Sequence, residues 1–250
     1  YSSAFRMDPD VPLVVPEVNP QAILKHKGII ANPNCSTIIM VMALKPIYDL
    51  AKIKRVIVST YQAVSGAGKE GIDELDAQVR DHSEGREMTA NILPSASAEK
   101  HYPIAFNLIP QIDVFCDNLY TKEEMKMVNE TKKIMEDYEM RITATTIRVP
   151  VYRSHSESVN IELEKEVDLG AMREALAKFP GVTVQDDPSK QEYPMPLYTS
   201  EKDDVYIGRL RRDESCEKSY NMWVVGDQIR KGAALNTLQI AETMIKNGWI

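Results

Sequence analysis

The chain has 250 residues, of which 43% are hydrophobic and 27% charged, enough apolar material for one large domain or two modest ones. A formal net charge of −7 with no long basic run argues against nucleic-acid binding, and no stretch reaches the ~18 uncharged apolar residues that a membrane span needs. The 3 cysteines are odd in number and widely spaced, which excludes a disulfide framework or a CxxC metal site and points to a reducing compartment.

The opening YSSAFRMDPDVPLVVPEVNP has neither a basic leader nor an apolar core, so it is not a signal peptide. It reads as a turn-rich stretch with a short strand at 11–15, closed by Pro16 and Pro20. Asn32-Pro33-Asn34 marks a turn, and Asn34 is a good N-cap, so a helix is predicted to start at Cys35. Residues 54–64 are β-branched and run into SGAGK: a strand, then a Gly-rich turn. Ile72, Leu75 and Val79 have helical spacing within a predicted helix at 69–82, and 83–103 is polar and irregular. Thr121 and Glu124 form a capping box that opens a helix to about 137.

Two strands are predicted at 141–152 and 155–167. In the second, His155, Val159, Ile161 and Leu163 share one face, while Ser154, Ser156, Ser158 and Asn160 take the other. Asp168 caps a helix that stops at Pro180-Gly181. Strands at 205–212 and 220–225 follow, and Gly226-Asp227 introduces an amphipathic helix to about 247. Strands alternate with helices, several strands in hairpin-like succession, so the class is mixed α/β. No internal repeat and no G-x-G-x-x-G fingerprint occurs.

Cys35 is the sharpest candidate for chemistry. A thiol in the first turn of a helix faces unpaired backbone N–H groups and the positive end of the dipole, which favour the thiolate; a small buried hydrophobe is the alternative. Of the four histidines, His26, His82 and His101 lie in polar stretches. His155 begins a strand with an apolar face, close to Arg148 and Arg153, and reads either as an acid/base group or as a hydrogen-bonded strand-end residue. The turn Ser65-Gly66-Ala67-Gly68-Lys69 can offer backbone N–H groups to phosphate, but its spacing is not that of a P-loop. Glu130 and Lys133, three apart on one helix, are neighbours.

These features occur in a fixed order: NPNCST at 32–37, YQAVSGAGKEG at 61–71, NLIPQID at 107–113, EEMKMVNETKKIMED at 123–137, the interval from Arg148 to His155, GRLRRD at 208–213 and WVVGDQIRKGAALNTLQIAET at 223–243. As a set they resemble the aspartate-β-semialdehyde dehydrogenases, over essentially the whole chain after its first few residues. N-acetyl-γ-glutamyl-phosphate reductases are related but carry Gly before the cysteine, and glyceraldehyde-phosphate dehydrogenases carry a different Cys-Thr-Thr context.

The resemblance implies a glyceraldehyde-phosphate-dehydrogenase-like catalytic and dimerisation domain at 35–225. Residues 1–34 would be the tail of an NADP-binding Rossmann domain, and 226–250 a helix packing back on that domain. It implies Cys35 as nucleophile and His155 as acid/base. Gln62, Glu130 and Arg148 would hold the substrate, with Arg148 on its α-carboxylate and Glu130 on its ammonium. Arg6, Asn34 and Lys133 would bind phosphate, and Ser65, Gly66 and Gln228 would contact NADP. The implied reaction is reversible conversion of L-aspartate β-semialdehyde and phosphate to L-β-aspartyl phosphate, on the route to lysine, threonine and methionine. The implied protein is a cytoplasmic homodimer or dimer of dimers, with no metal, nucleic acid or membrane. The family's N-terminal Gly-rich half is not in the sequence, so low activity is expected of this polypeptide alone. A related acyl-phosphate reductase, a Cys-His hydrolase and an inactive dimerisation module are the competing expectations.

Overall fold

In the computed structural model, which describes residues 3–249, six strands form one mixed sheet in the order β2-β1-β3-β6-β5-β4. The strands are β1 (Ile53–Gln62), β2 (Arg141–Arg148), β3 (His155–Leu163), β4 (Val182–Val184), β5 (Val205–Arg212) and β6 (Ser219–Gly226). Pairs β1–β2 and β4–β5 are parallel; β1–β3, β3–β6 and β5–β6 are antiparallel. Along β1 the residues Val56, Val58, Thr60 and Gln62 are buried and their neighbours only partly so, the period of two expected of a sheet covered on one face.

The cover is α1 (Cys35–Leu50), in which every residue from Ile38 to Leu44 is buried. A helix apolar all round belongs inside a core, and α1 lies against the sheet flanked by two amphipathic helices that also reach it, α3 (Lys122–Met135) along β2 and α4 (Leu169–Lys178) along β4 and β5. The capping box that begins α3 is formed from both sides by Thr121 and Glu124. The helix α2 (Lys69–Ser83) covers a separate small cluster of Val64, Leu75, Leu93, Ile104 and Ile109. The strand β4 and the short α5 (Pro196–Thr199) carry no periodic signal. The last helix begins as a π-helical turn, Arg230–Ala234, and continues as α6 (Leu235–Lys246).

Two expectations fail. Residues 11–15 form no strand; only Leu13 bridges Ala31. Pro12 and Pro16 remove ladder donors, and the Asn19 side chain takes the Val15 N–H and donates to the Leu13 carbonyl, both at 2.9 Å. Nor do β2 and β3 form a hairpin, because β1 runs between them. The connecting segment crosses the end of β1, where Gln62 O accepts from Val149 N–H and the N–H groups of Val64 and Ser65 donate to Val151 and Tyr152. Leu13, Val15, Val18 and Ala31 share the main core with α1, while Val14, Ala22 and Ile23 pack against Ile240 of α6. Among the described residues, no helix is long and apolar enough to cross a membrane.

Candidate active site

Strand register brings the candidate polar residues together. Gln62 pairs with Arg148, Tyr61 with Ser156, and His155 with Gly226. Arg148, Gln62, His155 and Gly226 therefore form one row across one end of the sheet, on the face covered by α1. One row deeper lie Thr146, Thr60, Glu157 and Val224.

The first turn of α1 closes this end. Asn34 caps it, its Oδ1 accepting from Thr37 N–H at 3.1 Å. The Asn34 N–H donates to Glu130 Oε2 at 2.6 Å and its Nδ2 to Glu123 Oε1 at 2.8 Å. Cys35 follows, half-buried. The expected thiolate is not what this surrounding favours: burial, then the charge of Glu123, push the thiol up to about 12. Arg148, the Ser36 N–H and Arg6 pull the other way and are outweighed. The helix start is present, but desolvation exceeds its effect.

Arg148 is buried, with Nη1 donating to Ala63 O at 2.7 Å and Nε without a hydrogen-bond partner. Burial draws its pKa down, against the opposing charges of Glu123 and Cys35. His155 Nδ1 accepts from Ala63 N–H at 3.1 Å. In the neutral ring that bond assigns the proton to Nε2, which is buried and has no hydrogen-bond partner. Burial, and then Arg148, hold His155 well below the ordinary imidazole range. The site thus presents an imidazole N–H donor in its resting state.

Gly66 lies against both groups: a Cβ there would stand 2.6 Å from Arg148 Nη1 and 3.3 Å from the His155 ring. Ser65 and Gln228 are joined directly, Gln228 Nε2 donating to Ser65 Oγ while its Oε1 accepts from Ser154 N–H at 2.9 Å. Arg6 donates from Nε to Asn32 O at 2.9 Å and has Nη1 3.5 Å from Glu130 Oε1.

Two assigned residues are occupied elsewhere. Lys133 Nζ donates to the carbonyls of Arg6, Asp8 and Val11 at 2.9, 2.6 and 2.8 Å. All three of its protons are spent on backbone, so it is a strut for the N-terminal segment and not an anion ligand. Glu130 is buried, takes the Asn34 N–H and faces Arg6. Burial raises its carboxyl to about 7, with Arg6 and the Asn34 N–H opposing, so it braces the turn that precedes Cys35.

Glu123 and Lys126 lie two turns nearer the start of α3 than Glu130 and Lys133 and repeat their spacing. Glu123 touches Asn34, has Gln62 Nε2 at 3.4 Å and pairs with Lys126 at 3.1 Å. Burial works against the Lys126 charge, but Glu123 and Asp113 hold it above the usual lysine range. An acid followed three residues later by a lysine occurs twice on α3, and the sequence signal is the same for both. Only the helix packing distinguishes them. Among the described residues no cluster of His, Cys, Asp or Glu could hold a metal ion.

The fold that carries this row is that of a semialdehyde dehydrogenase: the model of the semialdehyde dehydrogenase dimerisation domain matches residues 44–231. The aspartate-semialdehyde dehydrogenase of Aquifex aeolicus is 56% identical over 251 residues, 100% of this chain and 72% of that protein. The Bacillus subtilis enzyme of the same name is 52% identical across 98% of this chain and 71% of its own length. The crystal structure of aspartate semialdehyde dehydrogenase II from Vibrio cholerae complexed with ASA superposes with a TM-score of 0.91 at 46% identity, covering 98% of this chain and 70% of that one. The chain belongs to the aspartate-semialdehyde dehydrogenase family.

Proposed function

We propose that this chain carries the thiol chemistry of the reversible, NADP- and phosphate-dependent conversion of L-aspartate β-semialdehyde to L-β-aspartyl phosphate. The observation that supports it best is the row of Arg148, Gln62 and His155, with an unpartnered imidazole N–H and a buried guanidinium whose charge acts on Cys35. Arg148 pairs with the substrate α-carboxylate, for which a planar fork is suited. Glu123 takes the α-ammonium, since Glu130 is engaged by the Asn34 N–H and Arg6. Gln62 orients the aldehyde.

The Cys35 sulfur bonds to the aldehyde carbon. As it does so, His155 donates its Nε2 proton to the carbonyl oxygen and is reprotonated by the proton leaving sulfur, so a thiol that rests protonated needs no separate base. Covalent attachment splits one difficult step into two. Lys126, Arg6 and Asn34 hold phosphate for attack on the thioester carbon, which returns the thiol.

A side chain at Gly66 would collide with Arg148, so this turn would offer NADP backbone only. Ser65, Gly66 and Gln228 would hold it there, and when bound it supplies the hydride acceptor that oxidises the Cys35 adduct. We further propose that 1–34 and 226–250 form the nucleotide side of the molecule, that the phosphate-handling protein is a homodimer or a dimer of such dimers, and that it works in a reducing cytoplasm, where its free cysteines stay reduced. In the full chain, Cys35→Ser should cut turnover on the order of 10³-fold or more, because a serine alkoxide is unavailable at neutral pH and leaves poorly. Retention of near-normal turnover by the serine variant, measured as semialdehyde-dependent NADPH formation, would remove Cys35 from the role.

A further inference from the structure

The turn that starts the last helix is unusual. Residues Arg230–Ala234 form a π-helical turn, with Gly232 N–H on Asp227 O at 3.2 Å and Ala234 N–H on Ile229 O at 3.0 Å. Single π turns are uncommon and concentrate at functional sites. The widened turn lays backbone on the reacting residue. A Cβ on Gly232 would stand 3.0 Å from Cys35 Cβ and 3.3 Å from its Cα. Glycine suits this position through close approach and not through its backbone angles, which do not include a positive φ.

The same turn has its own anchor. Lys231 is only 1% exposed. Its Nζ lies 2.5 Å from Glu17 Oε2, 2.6 Å from Gln239 Oε1 and 3.0 Å from Asn236 Oδ1. Asn236 Nδ2 donates onward to Val14 O at 3.0 Å and to Asn32 Oδ1 at 2.7 Å. One buried ammonium therefore joins the π turn, the start of α6 and the segment that leads through Asn32 to Cys35. Burying such a charge is costly unless every proton is paired, and here all three are. The substrate-facing residues of the proposed reaction do not include it.

We infer that Lys231 is a positioning residue for the thiol: by fixing the π turn it sets the height of Gly232 over Cys35, and with it the space in which the sulfur attacks. This rests on Cys35 as the nucleophile. The test is Lys231→Met in the full chain, which keeps the length of the side chain and removes its charge, alongside Gly232→Ala. Iodoacetamide labelling of Cys35 is followed by peptide mass spectrometry with Cys116 and Cys216 as internal references, and kcat and KM are measured separately.

Displacement of a reacting group by about 1 Å costs up to ~10²-fold, so Lys231→Met should lower kcat at least about tenfold while KM for the semialdehyde stays within about twofold. Its Cys35 labelling should change at least about fivefold with the Cys116 to Cys216 ratio unaltered, whereas Gly232→Ala should slow Cys35 labelling by crowding the residue. Glu17→Gln, a milder change to the same anchor, should move Cys35 labelling in the Lys231→Met direction and keeps the idea testable if the methionine variant does not fold. A folded Lys231→Met chain with normal Cys35 labelling and normal kcat would overturn the inference; so would equal acceleration at all three cysteines, which reports general loosening. Failure of the nucleophile reading is seen separately, as activity surviving Cys35→Ser.

Discussion

At the scale of single residues, the site is a set of charges whose neighbours decide what each can do. Glu123 and Glu130 are chemically identical and lie on one helix, yet one is braced by the Asn34 N–H and Arg6, while the other meets Gln62, Asn34 and Lys126. Glu123→Gln should therefore raise KM for the aminated semialdehyde by about 10- to 100-fold, the worth of one charge-assisted hydrogen bond. The corresponding semialdehyde without the amino group should be turned over almost as well as by the parent chain. Glu130→Gln should leave that discrimination intact. Steady-state kinetics with both aldehydes decides it, and loss of discrimination in the Glu130 variant alone would return the ammonium to Glu130.

At the scale of elements, β3 carries an acid that no sequence pattern separates from its neighbours. Glu157 lies one row behind His155, is fully buried, and has no hydrogen-bond partner on either carboxylate oxygen. Burial raises its pKa well above the ordinary 4.5. The folded chain then keeps a proton that the unfolded chain releases, so the stability tied to Glu157 is full below about 4.5 and falls as pH rises toward the folded value. Glu157→Gln, a neutral near-isostere, should match the parent chain in acid and become the more stable of the two as pH rises above 4.5. Urea midpoints for both chains across that range test the sign, and a constant difference at every pH would contradict it.

Elements with strong local signals were legible in the sequence: the Asn34 cap, the Thr121–Glu124 box, the apolar run of α1 and the alternation along β3. What was not legible depends on packing between distant segments. The helix start at Cys35 promised a thiolate, but burial and the charge of Glu123, brought in from α3, reverse this. The stretch at 11–15 looked extended because of its valines, and Asn19 redirects its backbone. Row alignment of Gln62, Arg148 and His155 needs the register of β1, β2 and β3, which hydrophobic periodicity does not encode.

At the scale of the whole molecule, the sheet has two unlike faces. One is covered by α1 and holds the reactive row. The other presents Ile57, Tyr61, Ile147 and Trp223, none of them fully buried in the single chain, among serines, threonines and asparagines. Tyr61 and Trp223 pack as tilted rings with centroids 5.5 Å apart there, beside a hollow of about 360 Å³ lined by Ser158, Tyr193, Pro194, Arg209, Arg211 and Trp223. A flat, partly apolar sheet face of this kind is suited to association, and the matched family model is a dimerisation domain. Ser158 is exposed near the middle of this face, opposite both Ser59 and Trp223. Ser158→Arg should leave the fold of one chain intact, since nothing packs over that side chain, yet place a third guanidinium beside Arg209 and Arg211. Sedimentation should then show a shift from dimer to monomer with an unchanged far-ultraviolet circular dichroism spectrum; a dimer as tight as that of the parent chain would place the association surface elsewhere.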